Sequence, residues 1–583
     1  MINKRLKNIN KNWISASKTR NYLLKDTILD YFKIKKKRNY IKRIYKKKQE
    51  VKTYFDYILS KGLDYETKIF NILKKKFNNN IVKICESYDA RNPKYYYNTV
   101  DEMKKGTHII YQGVLYDEKK EIFGCSDLIV RSDIINKIFE NTVIDKNDEL
   151  INAPNLGTQK YHYRIIDIKN SKLHFNTNSF TLRNTANIKP FKSQIYIYTY
   201  CLGIIQGYTP PEGYILGNSW IQEKCVNKNK VVKCNNTPFN KAGIINFDKF
   251  DYKYKQLSFD AIDWIRNLNK NYKNWKLSPP SNKYLYPNMN NKLDGNYHNE
   301  KYALAIKNFE ITNIWNCSVE NRQTAFDNNI VSWKDGECNS KILGIKGKNS
   351  ILIDKMLIFH RNNSNIIEIN KKIPNTNNWK NKNKLLIFVD FETINNLIEN
   401  DGIYLFMIGF GWQDNNNIWH YKNYTTINTT SIEEFRIFNE FNNDYTKLCK
   451  EYNDNKPCVF HWSHAEKTIF NKIKNKYDNK ISFNNPNWID LLKIFKDNMI
   501  FINGCYNYGL KNVARQMYIH KLIKTNWTND ILNGLDAMFL AYKEYTKKNK
   551  INIKRNNLFK KIIKYNEIDC KVLWDMVKCL KKY

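Results

Sequence analysis

The sequence predicts a multi-domain α/β protein, and three observations support that fold class. Its 583 residues exceed what one hydrophobic core usually accommodates, so two to four domains are expected. Short apolar strands alternate with amphipathic helices before residue 220. A second set of apolar strands begins after residue 384, and a short helical segment separates the two sets. Each set is expected to form its own sheet.

Residues 1–60 are predicted to be a basic, helical beginning of the first domain. The run Lys33–Lys48 is rich in lysine and arginine. It is either a solvated helix face or a surface that follows phosphate groups. A further helix, starting near Gly62, presents an apolar face made of Leu63, Ile69, Phe70 and Leu73. Glu66 lies beside that face, and we expect it to assist a site on the sheet.

The predicted core of the first domain spans residues 61–220 and carries two acids on neighbouring strands. Asp127 stands in an apolar strand after Gly124, and Asp167 follows the apolar pair Ile165 and Ile166. Residues two apart on a strand share a face, so Lys169 accompanies Asp167. Two carboxylates bind a hard divalent cation, and an ammonium group can orient water or hold a phosphate. The pattern predicts a metal-assisted phosphodiesterase site.

A helix after these strands completes the pattern, because Gln194 and Tyr198 lie one turn apart on it. The ordered set resembles the RecB-like branch of the PD-(D/E)xK nuclease superfamily, which has a restriction-endonuclease-like core. The resemblance implies that Asp127, Asp167 and the carbonyl of Ile168 bind Mg²⁺ or Mn²⁺, assisted by Glu66. It also implies that Lys169 positions the attacking water, while Gln194 and Tyr198 support the site and the strand.

Some RecB-like nucleases hold an iron–sulfur cluster through one N-terminal and three C-terminal cysteines. Here Leu24, Lys25 and Asp26 stand where the first cysteine would be, and no cysteine cluster follows Tyr198. We therefore expect no iron–sulfur cluster.

Two segments are expected to connect the larger domains. Residues 221–300 are predicted to be a helical extension and linker, with two consecutive prolines at 279 and 280. Residues 301–350 contain two short helical patterns around Asn316-Cys317-Ser318 and resemble a helix-hairpin-helix module. In such modules hairpin amides hold a phosphate. The usual hairpin glycine is missing here, which favours a small packing module over direct DNA contact.

The second predicted domain spans residues 380–583. Its first strand, Leu385–Val389, runs into Asp390 and Glu392, which share one face. Two more strands follow, and near the C-terminus Tyr565 and Asp569 lie one helical turn apart. The set resembles the RNase H-like fold of DEDD exonucleases, in their tyrosine subclass. The resemblance implies that Asp390, Glu392 and Asp569 are three of four ligands for two metal ions, and that Tyr565 orients the attacking water.

Two residues compete for the place of the fourth ligand. Glu466 stands at the head of a helix, where DEDD enzymes usually carry an aspartate. Asp490 is the rival, although its position also fits the N-cap of a helix. We favour Glu466. His461 and His464 either line the cleft or are structural.

Composition limits the classes of partner and compartment. The formal charge of +41 favours a polyanion, with nucleic acid ahead of an anionic membrane. The 12 cysteines form no Cys-x-x-Cys pair, which argues against a zinc ribbon and against a secreted disulfide framework. No apolar run reaches the length of a membrane span, and no signal region follows Met1. We expect a soluble intracellular protein, of the cytoplasm, the nucleus or a viral replication compartment.

The two resemblances imply a metal-dependent nuclease of DNA repair, recombination or replication, with a RecB-like site and a 3′–5′ exonuclease-like site. The aromatic residues, 14% of the chain, favour single-stranded DNA or DNA with free ends, because bases stack on exposed rings. Two alternatives remain open at this level. One is an RNA-processing nuclease, and the other is a nucleic-acid-binding protein in which one or both sites are inactive.

Overall fold

The structure, a computed structural model, describes most of the chain. Its described residues are 12–40, 54–157, 160–177, 180–185, 187–226, 229–362, 365–381, 384–395, 403–414, 416–477, 485–527, 534–547 and 550–583. They separate into an N-terminal unit, made of residues 12–40 and Phe55–Asn308, and a C-terminal unit, Phe309–Tyr583. Of the basic run Lys33–Lys48, residues 41–48 lie outside the described residues.

The N-terminal unit is built on a mixed β-sheet. Its strands are Ile14–Ser15 (β1), Ile81–Lys83 (β2), Ile109–Asp117 (β3), Ile122–Arg131 (β4), Tyr163–Phe175 (β5), Glu212–Val226 (β6), Asn229–Asn235 (β7) and Gly243–Asn246 (β8). The spatial order is β2-β3-β4-β5-β6-β7, with β1 beside β4 and β8 beside β6. The pair β5 and β6 is parallel, whereas β4 is antiparallel to both of its neighbours, β3 and β5. Asp127 and Asp167 thus lie on adjacent strands.

Helices cover both faces of this sheet. They are Arg20–Leu23 (α1), Ile28–Tyr40 (α2), Tyr54–Phe77 (α3), Pro93–Lys105 (α4), Ser132–Ile138 (α5), Lys146–Glu149 (α6), Ile188–Gln206 (α7), Lys253–Asn271 (α8) and His298–Lys307 (α9). On β5, Ile165 packs in the cluster that contains α7, whereas Ile166 packs in the cluster that contains α3. This alternation places Asp167, two residues after Ile165, on the α7 face.

The structure departs from the expected layout of the N-terminal unit in two respects. The sheet continues past residue 220, because β6 runs to Val226 and pairs with both β7 and β8. The segment 221–300 therefore adds strands to the sheet as well as the helix α8. In α3, Ile69 and Leu73 are buried as expected, but Leu63 is 60% exposed. Leu63 lies six residues, about one and two-thirds turns, before Ile69, and that offset rotates its side chain away from the sheet.

The C-terminal unit contains a five-stranded mixed sheet and a separate two-stranded antiparallel sheet. Its strands are Ile367–Ile369 (β9), Leu386–Asn395 (β10), Ile403–Gln413 (β11), Trp419–Thr425 (β12), Cys458–His461 (β13), Asn487–Asp490 (β14) and Ile500–Ile502 (β15). The larger sheet has the order β12-β11-β10-β13-β14, and β9 pairs with β15. The first three strands are antiparallel, while β13 and β14 run parallel to β10. The acid-bearing strand β10 is therefore central.

The helices of this unit share its hydrophobic core. They are Val319–Asp327 (α10), Lys348–Asn362 (α11), Ser431–Glu451 (α12), Ala465–Tyr477 (α13), Leu491–Asp497 (α14), Leu510–Ile519 (α15), Gly534–Lys547 (α16) and Asn557–Leu580 (α17). Ile314, Ala325 and Trp333, from the segment that resembles a helix-hairpin-helix, lie in one apolar cluster with β10 and α17. Ser318 caps α10 through a capping box. The segment 311–333 thus packs as part of this unit.

Among the described residues, no helix is both long enough and sufficiently apolar to cross a membrane.

Candidate active sites

The first group of sequence-predicted residues, here called the N-terminal cluster, consists of Glu66, Asp127, Asp167 and Lys169. The Lys169 ammonium lies 2.6 Å from Oδ2 of Asp167 and 3.5 Å from Oδ2 of Asp127. The same Asp127 oxygen accepts a hydrogen bond from the backbone N–H of Ile168 at 2.7 Å. Both strands are thereby tied together at the point where the acids emerge. The structure brings all three strand residues into one site.

Glu66 extends from α3 toward this cluster, and two hydrogen bonds from β3 hold its carboxylate. Its Oε1 accepts from Nε2 of Gln112 at 2.8 Å and from the Tyr111 hydroxyl at 2.9 Å. Gln112 has a positive φ of 53°, an unusual conformation for a residue with a side chain. Ile110 and Leu115, five residues apart, consequently both pack in the α7 cluster. Gln112 was missed by the sequence analysis, because a positive φ leaves no signal in the residue type.

Burial and mutual repulsion dominate the electrostatics of the N-terminal cluster. Burial and the charge of Asp127 raise the pKa of Asp167 well above its usual value, although Lys169 opposes the shift. Burial and Asp127 likewise raise the pKa of Glu66. For Lys169, burial lowers the pKa, but Asp167 and Asp127 outweigh it and the pKa rises. The ammonium therefore stays charged. Because three carboxylates face this one ammonium, the cluster can bind further positive charge.

Gln194 and Tyr198 lie on α7, above the acids. Nε2 of Gln194 donates to the Tyr198 hydroxyl at 2.7 Å, and Tyr198 is only 3% exposed. Burial, followed by the charges of Asp167 and Asp127, raises the Tyr198 pKa well above its ordinary value. Gly124 makes the close approach possible, since a Cβ there would lie 2.1 Å from Cε1 of Tyr198. Gly124 is thus needed for the close packing of the Tyr198 ring against β4.

The second group, here called the C-terminal cluster, consists of Asp390, Glu392, Glu466, Tyr565 and Asp569. One ligand atom from each of Asp390, Glu392 and Asp569 can be chosen so that all three lie within 4.8 Å of one another. Asp390 and Glu392 come from the central strand β10, and Asp569 comes from α17, which packs across that strand. Tyr565, one turn before Asp569, is hydrogen-bonded to it and lowers the Asp569 pKa.

Asn566, which was not assigned a role from the sequence, orients the first acid of this cluster. Its Nδ2 donates to Oδ2 of Asp390 at 2.7 Å and to the Asp390 carbonyl at 3.2 Å. Its Oδ1 accepts from the Tyr421 hydroxyl at 2.8 Å. Asn566 is fully buried, so these bonds have no competition from solvent. The sequence signal for Asn566 was a polar residue between Tyr565 and Asp569, but its partner Asp390 is 176 residues away.

Two more residues at this cluster were missed by the sequence analysis. Nε1 of Trp527 donates to Oδ1 of Asp569 at 2.9 Å. The Lys511 ammonium lies 4.6 Å from the centre of the Tyr565 ring, and its charge lowers the pKa values of Asp390, Glu392 and Asp569. Both residues reach the acids from segments that sequence spacing does not relate to them.

The carboxyl groups of the C-terminal cluster repel one another strongly. Burial, then the charges of Asp569, Glu392 and Glu466, raises the pKa of Asp390 well above its usual value. Burial and Asp569 raise the pKa of Glu392 to about 8. Burial also raises the pKa of Asp569 to about 7, although Lys511, Tyr565 and Trp527 oppose it. Without added positive charge, this cluster therefore holds protons near neutral pH.

The two rivals for the fourth acidic position have different environments. Glu466 is 7% exposed, and no described donor forms a hydrogen bond of acceptable geometry with its buried Oε2. Its charge acts on Asp390, Glu392 and Asp569. Asp490 instead caps α14, where its Oδ1 accepts from the backbone N–H groups of Lys493 at 3.3 Å and Ser463 at 2.9 Å. Asp490 thus has structural partners, whereas Glu466 faces the cluster with an unsatisfied oxygen.

The residues of both clusters fit divalent metal ions, because they are oxygen donors with unsatisfied negative charge. No described donor forms a hydrogen bond of good geometry with buried Oδ1 of Asp167. Among the described residues, only Asp390, Glu392 and Asp569 meet the 4.8 Å spacing as a group of three. Glu66, Asp127 and Asp167 do not meet this 4.8 Å spacing, so the N-terminal cluster offers a metal ion fewer ligands that lie close together.

The raised carboxyl pKa values predict a pH dependence of stability for the metal-free protein. An acid whose pKa is higher when folded stabilises the fold at low pH, and this contribution is lost as pH rises through the folded pKa. For Glu392 the loss runs from its unfolded value, 4.5, to about 8. In EDTA, Tm should therefore fall more between pH 5.5 and pH 8 for wild type than for Glu392→Gln. Thermal scans of both proteins with matched Mg²⁺ samples test this, and equal pH slopes would contradict it.

The surroundings of Gly409 predict that a larger side chain there would disturb the packing of the same cluster. Gly409 is paired with Asp390 across β10 and β11, and a Cβ there would lie 1.8 Å from Oδ1 of Asn566. Gly409→Ala should displace Asn566 and destabilise the protein by about 1–3 kcal/mol, as overpacked cores do. Gly336→Ala is the matched control, because a Cβ there meets nothing within 4 Å. Urea unfolding measures the difference, and similar stability of the two variants would argue against the clash.

Comparison with known proteins supports the assignment of an RNase H-like fold to the C-terminal unit. A family model described as the RNase H superfamily matches residues 387–581, a third of the chain. The matched range contains Asp390, Glu392, Glu466, Tyr565 and Asp569. A search of curated proteins found no match. The C-terminal unit therefore carries an RNase H-like domain, and such a domain supports a nuclease-like function on nucleic acid.

Proposed function

We propose that this protein is a metal-dependent nuclease that hydrolyses DNA phosphodiesters, with one site in each unit. The observation that carries the proposal is the trio of Asp390, Glu392 and Asp569, with ligand atoms within 4.8 Å inside the matched domain. Its raised pKa values mean that this trio lacks compensating charge. The proposed ions are Mg²⁺ or Mn²⁺, which carboxylate oxygen prefers.

At the C-terminal site we propose that Asp390, Glu392, Asp569 and Glu466 hold the ions. Bound divalent ions would neutralise the charge that develops on the phosphate and activate a water. Tyr565, hydrogen-bonded to Asp569, would orient that water with its hydroxyl. Asn566 and Trp527 keep the ligands Asp390 and Asp569 in position through their hydrogen bonds. The resemblance to DEDD enzymes supports attack from a 3′ end.

At the N-terminal site we propose a RecB-like PD-(D/E)xK centre. Asp127, Asp167 and the Ile168 carbonyl would bind the metal, with Glu66 assisting through the side chain that Gln112 orients. Lys169, charged and held between the two aspartates, would position the attacking water. Gln194 and Tyr198 would support the site from α7. The support is the convergence of these residues from α3, β4, β5 and α7.

We further propose that the substrate is single-stranded DNA or DNA with free ends, in repair, recombination or replication. The excess of basic residues supports a nucleic-acid partner of either kind. Matched DNA and RNA oligonucleotides, labelled at the 5′ or 3′ end and incubated with Mg²⁺ or Mn²⁺, test the proposal. Progressive shortening of 5′-labelled DNA is expected. Faster cleavage of RNA would favour an RNA-processing nuclease, and tight binding without cleavage would favour a binding protein with inactive sites.

A further inference from the structure

Beside the C-terminal cluster lies a second pair of ligating groups, His461 and Glu466. His461 is the last residue of β13, in which Phe460 pairs with Phe388 of β10. By this register His461 lies level with Val389 of β10, one residue before Asp390. Glu466 is the second residue of α13, which follows a short turn after β13. The imidazole Nδ1 and the carboxylate Oε2 are 3.5 Å apart.

Both facing atoms are buried and lack a partner. His461 is 2% exposed and Glu466 is 7% exposed. Within the described part of the chain, neither Nδ1 of His461 nor Oε2 of Glu466 has a hydrogen-bond partner of acceptable geometry. Buried polar atoms normally find partners, because leaving them unsatisfied is costly. Two such atoms only 3.5 Å apart are the feature that a third group, bound to both, would explain.

The spacing of the two atoms is that of ligands on one metal ion. An imidazole nitrogen and a carboxylate oxygen each bind a divalent ion at about 2.0–2.2 Å, so adjacent ligands lie roughly 3.0–3.5 Å apart. A direct charge-assisted hydrogen bond would instead bring the atoms to about 2.7–2.9 Å. The observed 3.5 Å fits the first case better than the second.

The surrounding residues hold this pair in place. The Trp488 ring meets the His461 ring edge to face, with centroids 5.3 Å apart. Asp490, paired with His461 across β13 and β14, accepts from the Ser463 backbone N–H, and Ser463 has a positive φ of 75°. Asp490 thus fixes the turn that presents Glu466 to His461. Asp490, the other candidate for the fourth ligand, therefore supports the structure of this pocket.

We propose that Nδ1 of His461 and Oε2 of Glu466 together bind one divalent ion of the C-terminal site. This inference rests on the proposed nuclease function and specifies the ligands of that site. A nitrogen donor favours transition ions over Mg²⁺, because imidazole is a softer ligand than carboxylate. The pocket therefore selects Mn²⁺ over Mg²⁺, whereas the trio of Asp390, Glu392 and Asp569 offers oxygen alone.

Nitrogen coupling to bound Mn²⁺ tests the ligand directly. Pulsed electron paramagnetic resonance on the full chain carrying Asp167→Asn, which weakens metal binding at the N-terminal cluster, should show ¹⁴N coupling. His461→Phe should abolish the coupling, while the exposed neighbour His464→Asn should retain it. Absence of coupling without the histidine substitutions, or its persistence in His461→Phe, would overturn the inference.

Binding affinity provides a second measurement that does not depend on removing the buried ring. Glu466→Gln keeps the packing of His461 and should weaken one Mn²⁺ site at least tenfold by calorimetry. Unchanged Mn²⁺ affinity would count against the pocket. The proposed function fails separately, if Asp390→Asn leaves cleavage of DNA and RNA unchanged in the Asp167→Asn background. Loss of cleavage in Asp390→Asn with unaltered Mn²⁺ binding in Glu466→Gln would overturn this inference alone.

Discussion

Replacing Asp390 by asparagine is expected to reduce hydrolysis at the C-terminal site by about 10³-fold or more, the largest effect of any single change there. Asp390 belongs to the trio whose ligand atoms lie within 4.8 Å, and Asn566 orients it by a 2.7 Å hydrogen bond. Asparagine keeps the shape but removes the charge that holds a cation in the transition state. Initial rates on 5′-labelled single-stranded DNA with Mg²⁺ or Mn²⁺ measure the loss.

Asp497→Asn is a matched control, because Asp497 is an exposed acid of the same unit, at the end of α14. It should cleave as wild type does. Asp390→Asn should still bind DNA, since the basic surface is untouched. Undiminished shortening from the 3′ end by Asp390→Asn would show that this cluster is not the exonuclease site.

Replacing Asp167 by asparagine should have the second largest effect, a loss of about 10²–10³-fold in cleavage at the N-terminal site. Asp167 is fully buried and lies 2.6 Å from the Lys169 ammonium. The substitution removes a proposed metal ligand and also the charge that holds Lys169 in place. The measurement uses the Asp390→Asn background, so that only the N-terminal site contributes to the rate.

Asp101→Asn, in the exposed part of α4, is the control in that same background. It should leave residual cleavage unchanged. If Asp390→Asn alone removes all cleavage, the N-terminal cluster makes no contribution, and the protein is a single-site nuclease. If residual cleavage survives in the double variant of Asp167 and Asp390, it arises outside both clusters.

Much of both clusters could be predicted from the sequence, for a local reason. Asp167 and Lys169 share a face because strands have a period of two, and Tyr565 and Asp569 share a face because helices have a period near four. Apolar residues before Asp167 and Asp390 predict buried strands that carry acids. The meander β10-β11-β12 and its place in an RNase H-like domain are confirmed.

Other features depend on contacts between distant segments, which spacing does not reveal. Leu63 fits the apolar pattern of α3 but is 60% exposed, because its side chain is rotated away from the sheet that buries Ile69 and Leu73. The sheet of the N-terminal unit continues through β7 and β8, in a stretch whose weak pattern predicted helix and linker. The RecB-like assignment of this unit remains a proposal.

The sequence by itself determined which carboxylates stand at buried strands and on helix faces, because those positions follow from local periodicity and hydrophobicity. Only the tertiary structure decided what meets them. Gln112 reaches Glu66, Asn566 reaches Asp390, and Trp527 reaches Asp569 through hydrogen bonds that span between 42 and 176 residues. Such partners are selected by packing and by the need to satisfy buried polar groups, which act in space and leave no period along the chain.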